Sequence, residues 1–587
     1  MKAITESKTP VKKLYLTKIM SDEAIKNREG TFFDESHYQR YYIIKDSTDA
    51  YVPDGEGGYR PLFFYRRNVI PEHMLQNAIE VFKKAAQKNK SHQRGAAAGP
   101  IDVSKLSPNA VVALSPSRFR SRFVYKDGRV SSYDRANPVN SMIAGYFDEP
   151  RIADKSKVRD NGLPPCRTTA FTKKNWDRWT SVFPLINLLD DMYLALRPDV
   201  YIKQKILADR TPDFRIGDSV FSTLTVNLNF RTACHVDQGD FREGMTVIIV
   251  ASEGRYKGGY LGYPQYGVCV DLRHGDFILK NPHSQHSNTE FYDTSDNFAR
   301  LSFVFYYREK MQRCARENVF PESMSMMGGG PDSEQETTKS VEEITVFPRG
   351  AEHPLSIMIR PETTDLKVVE EVIKRNVYQK KKIDFTIEPD DKWLDLGANI
   401  GTFSMLVLSL GATVVAYEPE QENFTILVAN LRRNFGRQGW IAHLEAVSIQ
   451  TNKDTKLYVC NGEYNKYRHT LWPKRGRSTQ TVQSVSIWDV LKRDPDINCI
   501  KMDIEGAEID ILEAILPYDL TDVTILSNID KMVFEYTFDA DRRISRFMDI
   551  IRRLEMIFRV VHPSKTINLN EEFYRYYPPS CLVYCLR

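Results

Sequence analysis

Between Ser323 and Ser340 the chain reads SMSMMGGGPDSEQETTKS, and the residue pattern before this stretch differs in kind from the pattern after it. The stretch is small, polar, Gly-rich and without periodicity. It cannot bury enough apolar surface to offset its ordering entropy, so a flexible linker is expected there. The linker predicts a domain over 1–320, a connection over 321–342 and a second domain over 343–587. A chain of 587 residues is long enough for two full cores.

Upstream, short β-branched and aromatic runs dominate from about residue 216: FSTLTVNLNF, GMTVIIVAS, GGYLGYPQYGVCVDL, DFILK and ARLSFVFYY. Gly, Pro and Asn punctuate them, which predicts a β-sandwich or jelly roll. PEHMLQNAIEVFKKAAQ and NWDRWTSVFPLINLLDDMYLAL carry helical apolar spacing and are expected to flank it. Downstream, the runs KWLDLG, TVVAYEP, AHLEAVS, NCIKMDI and KMVFEY alternate with helical segments. That alternation is expected of an α/β fold with a parallel sheet covered on both faces.

Composition excludes several classes. A hydrophobic fraction of 42% and a charged fraction of 27% are those of a soluble globular protein. The 81 basic against 77 acidic residues give a net charge of +4, too balanced to imply nucleic acid without local clustering. The eight cysteines are scattered with no CxxC, which disfavours a zinc ribbon or a secreted disulfide framework. Cys581 and Cys585 are expected on a terminal strand as buried thiols. The polar N-terminus lacks a signal-peptide core and no long apolar run appears, so no membrane association and an intracellular setting, nucleus or cytoplasm, are expected.

WLDLGANIGTFSMLVLSLG is strand, Gly-rich turn, helix. Gly397 and Gly401 let the backbone turn sharply and approach a ligand at a helix N-terminus. Asn399 lies in the same turn. Glu418, about twenty residues on, ends the next strand, where a carboxylate can accept both ribose hydroxyls. Asp395 before the turn would repel a pyrophosphate but can orient the cationic amino-acid end of S-adenosylmethionine. These motifs, with Asp365, Tyr378, AYEPEQENF, Asn430 and IKMDIEGAEIDIL (500–512), resemble the FkbM family of methyltransferases over roughly 341–560. The resemblance implies a Rossmann-like fold, S-adenosylmethionine as cofactor and a hydroxyl as methyl acceptor. Asp503 is expected at the reacting end of the sheet, where it orients or deprotonates the acceptor. Where many relatives have Glu-x-His after the last core strand, this chain has Glu535-Tyr536-Thr537, which leaves the general base open.

In the first half, HVDQGD places His235 and Asp237 with one residue between them, on one face of a strand, as two legs of a facial iron triad. A second histidine must come from elsewhere. PHSQHSNTEF offers His283 and His286, of which His286 is preferred because HSNT opens the turn leading to Arg300. The triad leaves three positions on the metal, enough for a chelating 2-oxoglutarate and dioxygen, and a buried arginine would pair with the far carboxylate. The ordered set of HxD, Gly-Asp strand, HxN and Arg-x-Ser (Arg300, Ser302) is similar to the TET/JBP branch of Fe(II)- and 2-oxoglutarate-dependent oxygenases. RGAAAG (94–99), SMIAGYFD (141–148), CRTTAFT (166–172), FSTLTVNLNF (221–230) and the run over 258–281 extend the resemblance to algal, fungal and viral members across roughly 60–310.

That family oxidises the methyl group of thymine or 5-methylcytosine, on a double-stranded β-helix. The resemblance implies Fe(II) on His235, Asp237 and His286, and 2-oxoglutarate on Arg300 and Ser302. In an algal member ascorbate replaces 2-oxoglutarate, and positions matching Asn227 and Asp240 lie in the pocket beside the base. A base in duplex DNA must be extruded to be read there, and an amide and a carboxylate can read its polar edge. A structural bond within the barrel is the alternative for both.

Basic clusters at KKAAQKNKSHQR (83–94), SRFRSRFVYKDGR (117–129) and RHTLWPKRGR (468–477) interleave cations with aromatics, as phosphate and base contacts would require. They favour DNA, or RNA, as the partner. One domain makes a hydroxyl and the other consumes one, so the expected activity is hydroxylation of a base methyl followed by O-methylation. Two other activities stay open: the same pair of enzymes on a glycan, peptide or small metabolite, and a binding module with one decayed half.

Overall fold

A computed structural model describes residues 11–38, 42–102, 110–117, 119–130, 136–148, 166–314, 341–459, 469–471, 478–517, 525–538, 544–564 and 580–587. The Gly-rich stretch at 323–340, and most of the basic cluster at 468–477, lie outside them. The chain divides into two compact units, Met1–Ala315 and Arg316–Arg587. Among the described residues, no helix is long and apolar enough to cross a membrane.

The first unit is built on a 10-stranded sheet and a four-stranded one. Five strands of the larger sheet matter here: β1 (Val139–Phe147), β2 (Thr223–Leu228), β3 (Thr246–Glu253), β4 (Phe277–Lys280) and β5 (Ala299–Tyr306). Their spatial order is β4-β3-β5-β2-β1, all neighbours antiparallel. Leu224, Val226, Val247, Ile249, Leu301, Phe303 and Phe305 are buried, as strands of β-branched and aromatic residues should be when both faces are covered. The second sheet pairs Ser287–Asn288, Leu261–Tyr263, Val268–Val270 and Tyr42–Ile44.

Helix α1 (Glu72–Lys88) buries Leu75, Ala78, Ile79 and Phe82, the face its spacing predicts. The second predicted helix is broken into Trp176–Thr180 and α2 (Phe183–Leu196). Pro184 has no backbone N–H and fits the first turn of the new helix. Cys166 and Cys314, residues that suggested no pairing, are joined as a disulfide with Cα atoms 6.1 Å apart. They lie in a small core with Phe241, Tyr307 and Met311. The juxtaposition spans 148 residues and only the fold creates it.

The second unit holds a seven-stranded sheet. Four strands run parallel: β6 (Lys392–Leu396), β7 (Thr413–Tyr417), β8 (Cys499–Met502) and β9 (Lys531–Thr537), in the order β7-β6-β8-β9. Trp440–His443 continues the sheet in parallel beyond β7. On the other side β10 (Ser580–Leu586) is antiparallel to β9, and Cys581 and Cys585 on it are buried. The run AHLEAVS splits: Ala446–Ser448 belongs to a separate three-stranded sheet. Helices α3 (Thr402–Ser409), α4 (Gln421–Phe435) and α5 (Glu508–Ile515) follow β6, β7 and β8.

Candidate functional site

His235 and His286 are brought together by the backbone. Each N–H donates to the other's carbonyl at 3.0 Å, an isolated antiparallel bridge, so the pair does not sit on a regular strand as expected. The Asp237 N–H donates to the Pro282 carbonyl, which ties the HVD segment to the segment carrying His286. The imidazole rings lie 4.4 Å apart. His235 Nδ1 lies 2.7 Å from the Ala233 carbonyl and His286 Nδ1 lies 2.9 Å from the Ser284 carbonyl. A carbonyl only accepts, so both Nδ1 atoms carry the proton, and each ring turns its Nε2 toward Asp237. Those Nε2 atoms are 3.6 and 3.5 Å from the two Asp237 oxygens. The ligand atoms of His235, Asp237 and His286 all fall within 4.8 Å of one another, a group able to hold a metal ion. His283 is placed elsewhere, with its Nε2 3.4 Å from the Phe241 carbonyl.

Lys280, at the end of β4, was not singled out in the sequence. Its fully buried ammonium donates to Asp237 Oδ2 at 2.6 Å and lies 3.1 Å from His286 Nε2. Burial by itself would raise the Asp237 carboxyl, but Lys280, with His286 and His235, overrides it and holds the group well below the usual carboxylate range. Burial, reinforced by Lys280 and His235, holds His286 well below the usual imidazole range, so the ring is neutral. A nitrogen lone pair serves one partner. Lys280 must therefore release His286 Nε2 before a metal binds there.

The triad opens into a cavity of about 750 Å³ that is also lined by Asn227, Asp240, Arg300 and Ser302. Arg300 is buried, its Nε has no hydrogen-bond partner, and its guanidinium lies 5.7 Å from the centre of the Phe291 ring. A buried guanidinium with an unmet donor fits an anionic ligand. Asp240 Oδ2 accepts from the Thr246 hydroxyl at 2.6 Å. Burial, then the nearby Asp237 carboxylate, holds Asp240 well above the usual range. Asn227 and Ser302 are directly opposite each other across β2 and β5.

In the second unit, a cavity is lined by Gly397, Asn399, Glu418, Asn423 and Asp503. Gly397 has φ +76°, and a Cβ there would lie 2.0 Å from the Asp503 carbonyl oxygen. Glu418 accepts from the N–H groups of Asn399 (2.8 Å) and Glu420 (2.9 Å), and burial pushes it up to about 7. Asp503 accepts from the Tyr378 hydroxyl at 2.7 Å, a contact across 125 residues. Glu535, on β9, is pushed up to about 7 by burial and by the Asp503 carboxylate beside it.

Two expected residues stand away from this cavity's wall. Asp395 is fully buried and faces inward: Lys501, opposite it on β8, holds Oδ1 at 3.0 Å, and the Ser404 hydroxyl holds Oδ2 at 2.6 Å. Its charge is met within the protein. Gly401, with φ +85°, starts α3 against Leu427 and shapes the turn from behind. Asn430 and Asp365 are structural. Asn430 bonds Met358 and the Ile400 carbonyl, and Asp365 forms a two-point pair with Arg360. Of the basic cluster 83–94, Lys83 pairs with Glu253 and Arg94 turns inward to Ser141, which leaves Lys84, Lys88 and Lys90 exposed.

Residues 143–309 match the family described as the oxygenase domain of the 2OGFeDO superfamily, TET/JBP type, and residues 395–559 match the methyltransferase FkbM domain. The chain carries both domains. The oxygenase domain is similar to thymine dioxygenase JBP1 of Trypanosoma brucei brucei, 32% identical over 296 residues that make up 47% of this chain and 34% of that protein. It is also similar to thymine dioxygenase JBP1-A of Trypanosoma cruzi, 40% identical over 171 residues, 29% of this chain and 19% of that one. The chain thus spans about a third or less of the length of these relatives. A structure of NgTET1 in complex with 5mC DNA aligns with 50% of this chain and 93% of its own at 11% identity, with a TM-score of 0.29, too distant to carry an argument.

Proposed function

We propose that this chain hydroxylates the methyl group of thymine or 5-methylcytosine in DNA and then methylates the hydroxyl it has made. The observation that carries the oxidation is one cavity holding His235, Asp237 and His286 with the buried Arg300, its Nε unmet, in its wall. The fold naming that goes with this reading is a double-stranded β-helix (jelly roll) over 1–320, a linker over 321–342 and a Rossmann-like α/β domain over 343–587.

The two imidazoles, each held at Nδ1 by a carbonyl, and the ionised Asp237 suit Fe(II), and Arg300 with Ser302 suits the far carboxylate of 2-oxoglutarate. With 2-oxoglutarate and dioxygen, ferrous iron supplies the oxidising power: one oxygen atom enters the methyl C–H bond and the other enters succinate as CO2 leaves. Asp240 lines the cavity wall where an extruded base would present its polar edge, and Asn227 lines the same cavity from β2. Arg300→Gln is expected to raise the KM for 2-oxoglutarate about 10²-fold, because the carboxylate loses a buried guanidinium with a donor to spare. Steady-state kinetics at saturating DNA test this; an unchanged KM would place the co-substrate elsewhere.

In the methyltransferase domain, Gly397, Asn399 and Glu418 suit the adenosine end of S-adenosylmethionine, whose sulfonium supplies an electrophilic methyl group. Asp395 supports that site from within through Lys501. Transfer to a hydroxyl needs alignment and somewhere for the proton to go. Asp503, held by Tyr378, and its neighbour Glu535 together provide the acceptor. Glu535 keeps its proton below about pH 7 and loses it above. The rate of methyl transfer should rise about tenfold per pH unit up to that point and level off beyond it. Glu535→Gln should abolish the rise. A flat profile between pH 5.5 and 8.5 in the unsubstituted enzyme would rule out a carboxyl base.

The test of the whole is nucleoside mass analysis of thymine- or 5-methylcytosine-containing DNA treated with each cofactor set alone and together. Hydroxymethyl product should require iron and 2-oxoglutarate, and its methyl ether should appear only when S-adenosylmethionine is added. Hydroxymethyl product that never gains a methyl leaves the oxidation and removes the coupled step. No hydroxymethyl product with any DNA removes both.

A further inference from the structure

Ser141, Asn227 and Ser302 are neighbours across three adjacent strands: Asn227 on β2 is directly opposite Ser141 on β1 and Ser302 on β5. All three line the cavity that holds the metal triad. At one end of the row stands Arg94, from the 3-10 turn Gly95–Ala98 and its preceding residue. Arg94 lines the same cavity, and both its Nε (2.9 Å) and one terminal nitrogen donate to the Ser141 hydroxyl. No carboxylate pairs with it among the described residues. The row was not anticipated from the sequence, where Arg94 counts only as part of a basic cluster.

The chemistry of these groups leaves one polarity. A guanidinium has donors and no acceptor, so the Ser141 oxygen must accept from it. Its single proton is then free for one acceptor, and Asn227 Oδ1 is 2.7 Å away. That bond sets the side-chain amide the same way round. Oδ1 faces Ser141, and the NH2 group faces Ser302 Oγ at 3.5 Å. The flipped amide would bring a third donor to the Ser141 oxygen and leave the Ser141 proton without an acceptor, a costly arrangement in a buried place. Ser302, receiving a donor, turns its own proton onward. Arg300 lies two residues before Ser302 on β5, on the same face.

We infer that Arg94 and Ser141 are positioning residues that lock Asn227 so that Asn227, Ser302 and Arg300 present donors only, which selects an anion and assigns Asn227 to the 2-oxoglutarate carboxylate rather than to the base. This rests on the reading of the cavity as the 2-oxoglutarate site. Arg94 stands behind the row as a fixed positive charge, and a chain of bonds that all point one way polarises each member toward the ligand. The arrangement repels a donor edge such as the exocyclic amine of cytosine.

The experiment is calorimetric titration of the iron-loaded full-length chain with 2-oxoglutarate, without oxygen and without DNA, alongside the KM for DNA under turnover. Asn227→Asp replaces the inward donor by an anionic acceptor and should weaken 2-oxoglutarate binding about 10²-fold with the KM for DNA unchanged. Ser141→Ala frees the amide to rotate and should weaken binding about tenfold while the melting temperature stays near that of the parent. A purely structural role would shift melting and leave the dissociation constant alone. Both variants binding 2-oxoglutarate within about twofold of the parent would overturn the inference, as would an Asn227→Asp effect confined to the KM for DNA. A parent chain that fails to bind 2-oxoglutarate at all overturns the cavity reading, and this inference falls with it.

Discussion

His235→Ala should cut base oxidation by more than about 10³-fold and leave the purified chain nearly free of iron, since loss of even an outer partner of a metal ligand costs about 10–100-fold. The reason lies in what remains. Asp237 Oδ2 and His286 Nε2 are both within bonding distance of the Lys280 ammonium, at 2.6 and 3.1 Å. With three ligands a dication can displace that contact. With two, the lysine already satisfies them and its charge repels the metal. The fold should survive, because the bridge between residues 235 and 286 is made by backbone atoms that the substitution keeps. Metal content by mass spectrometry, nucleoside analysis and circular dichroism measure the three quantities. A folded variant that retains stoichiometric iron would show that the metal sits elsewhere.

Gly397→Ala should reduce S-adenosylmethionine affinity more than about 10²-fold and destabilise the second unit by roughly 2–5 kcal/mol. Two penalties add. The backbone at φ +76° is strained for any residue with a Cβ, and that Cβ would lie 2.0 Å from the Asp503 carbonyl oxygen. A backbone oxygen cannot rotate away, so the turn and the end of β8 must separate, and these carry Asn399 and Asp503. Gly401→Ala is the control. It has a similar φ of +85°, yet its nearest neighbour is Leu427 Cδ1 at 2.6 Å, the end of a side chain that can move. Its effect should be the smaller by at least about tenfold in affinity. Calorimetric titration with S-adenosylmethionine and thermal unfolding decide it. Equal binding by Gly397→Ala and the parent would mean that this turn does not cradle the cofactor.

Local pattern was enough for the strands, because a β-branched run bounded by Gly and Pro carries its own signal, and for the turn at 395–401, where glycines must supply positive φ. It was enough for His235 and Asp237, which are two residues apart. It was not enough to choose between His283 and His286 by geometry, since three residues of loop can turn either ring inward. Asp395 shows what local pattern leaves out. Its place before the turn suggests a ligand for a cationic group, but the residue facing it across the sheet is Lys501, and an internal ammonium takes the carboxylate first. Register between β6 and β8 cannot be read from either strand alone.

The amino-acid order by itself determined that the chain makes two units of different architecture, and it determined the residue types each site has available. Tertiary structure decided what those residues face. Lys280 reads as the polar end of an apolar strand until the fold sets it beside Asp237. Tyr378 and Asp503 meet across 125 residues, and Arg94 leaves its basic neighbours to bond Ser141. Charges and hydrogen-bond donors act over a few ångströms, and the neighbours that satisfy them come from segments far apart in the chain, so their roles exist only once the backbone has closed.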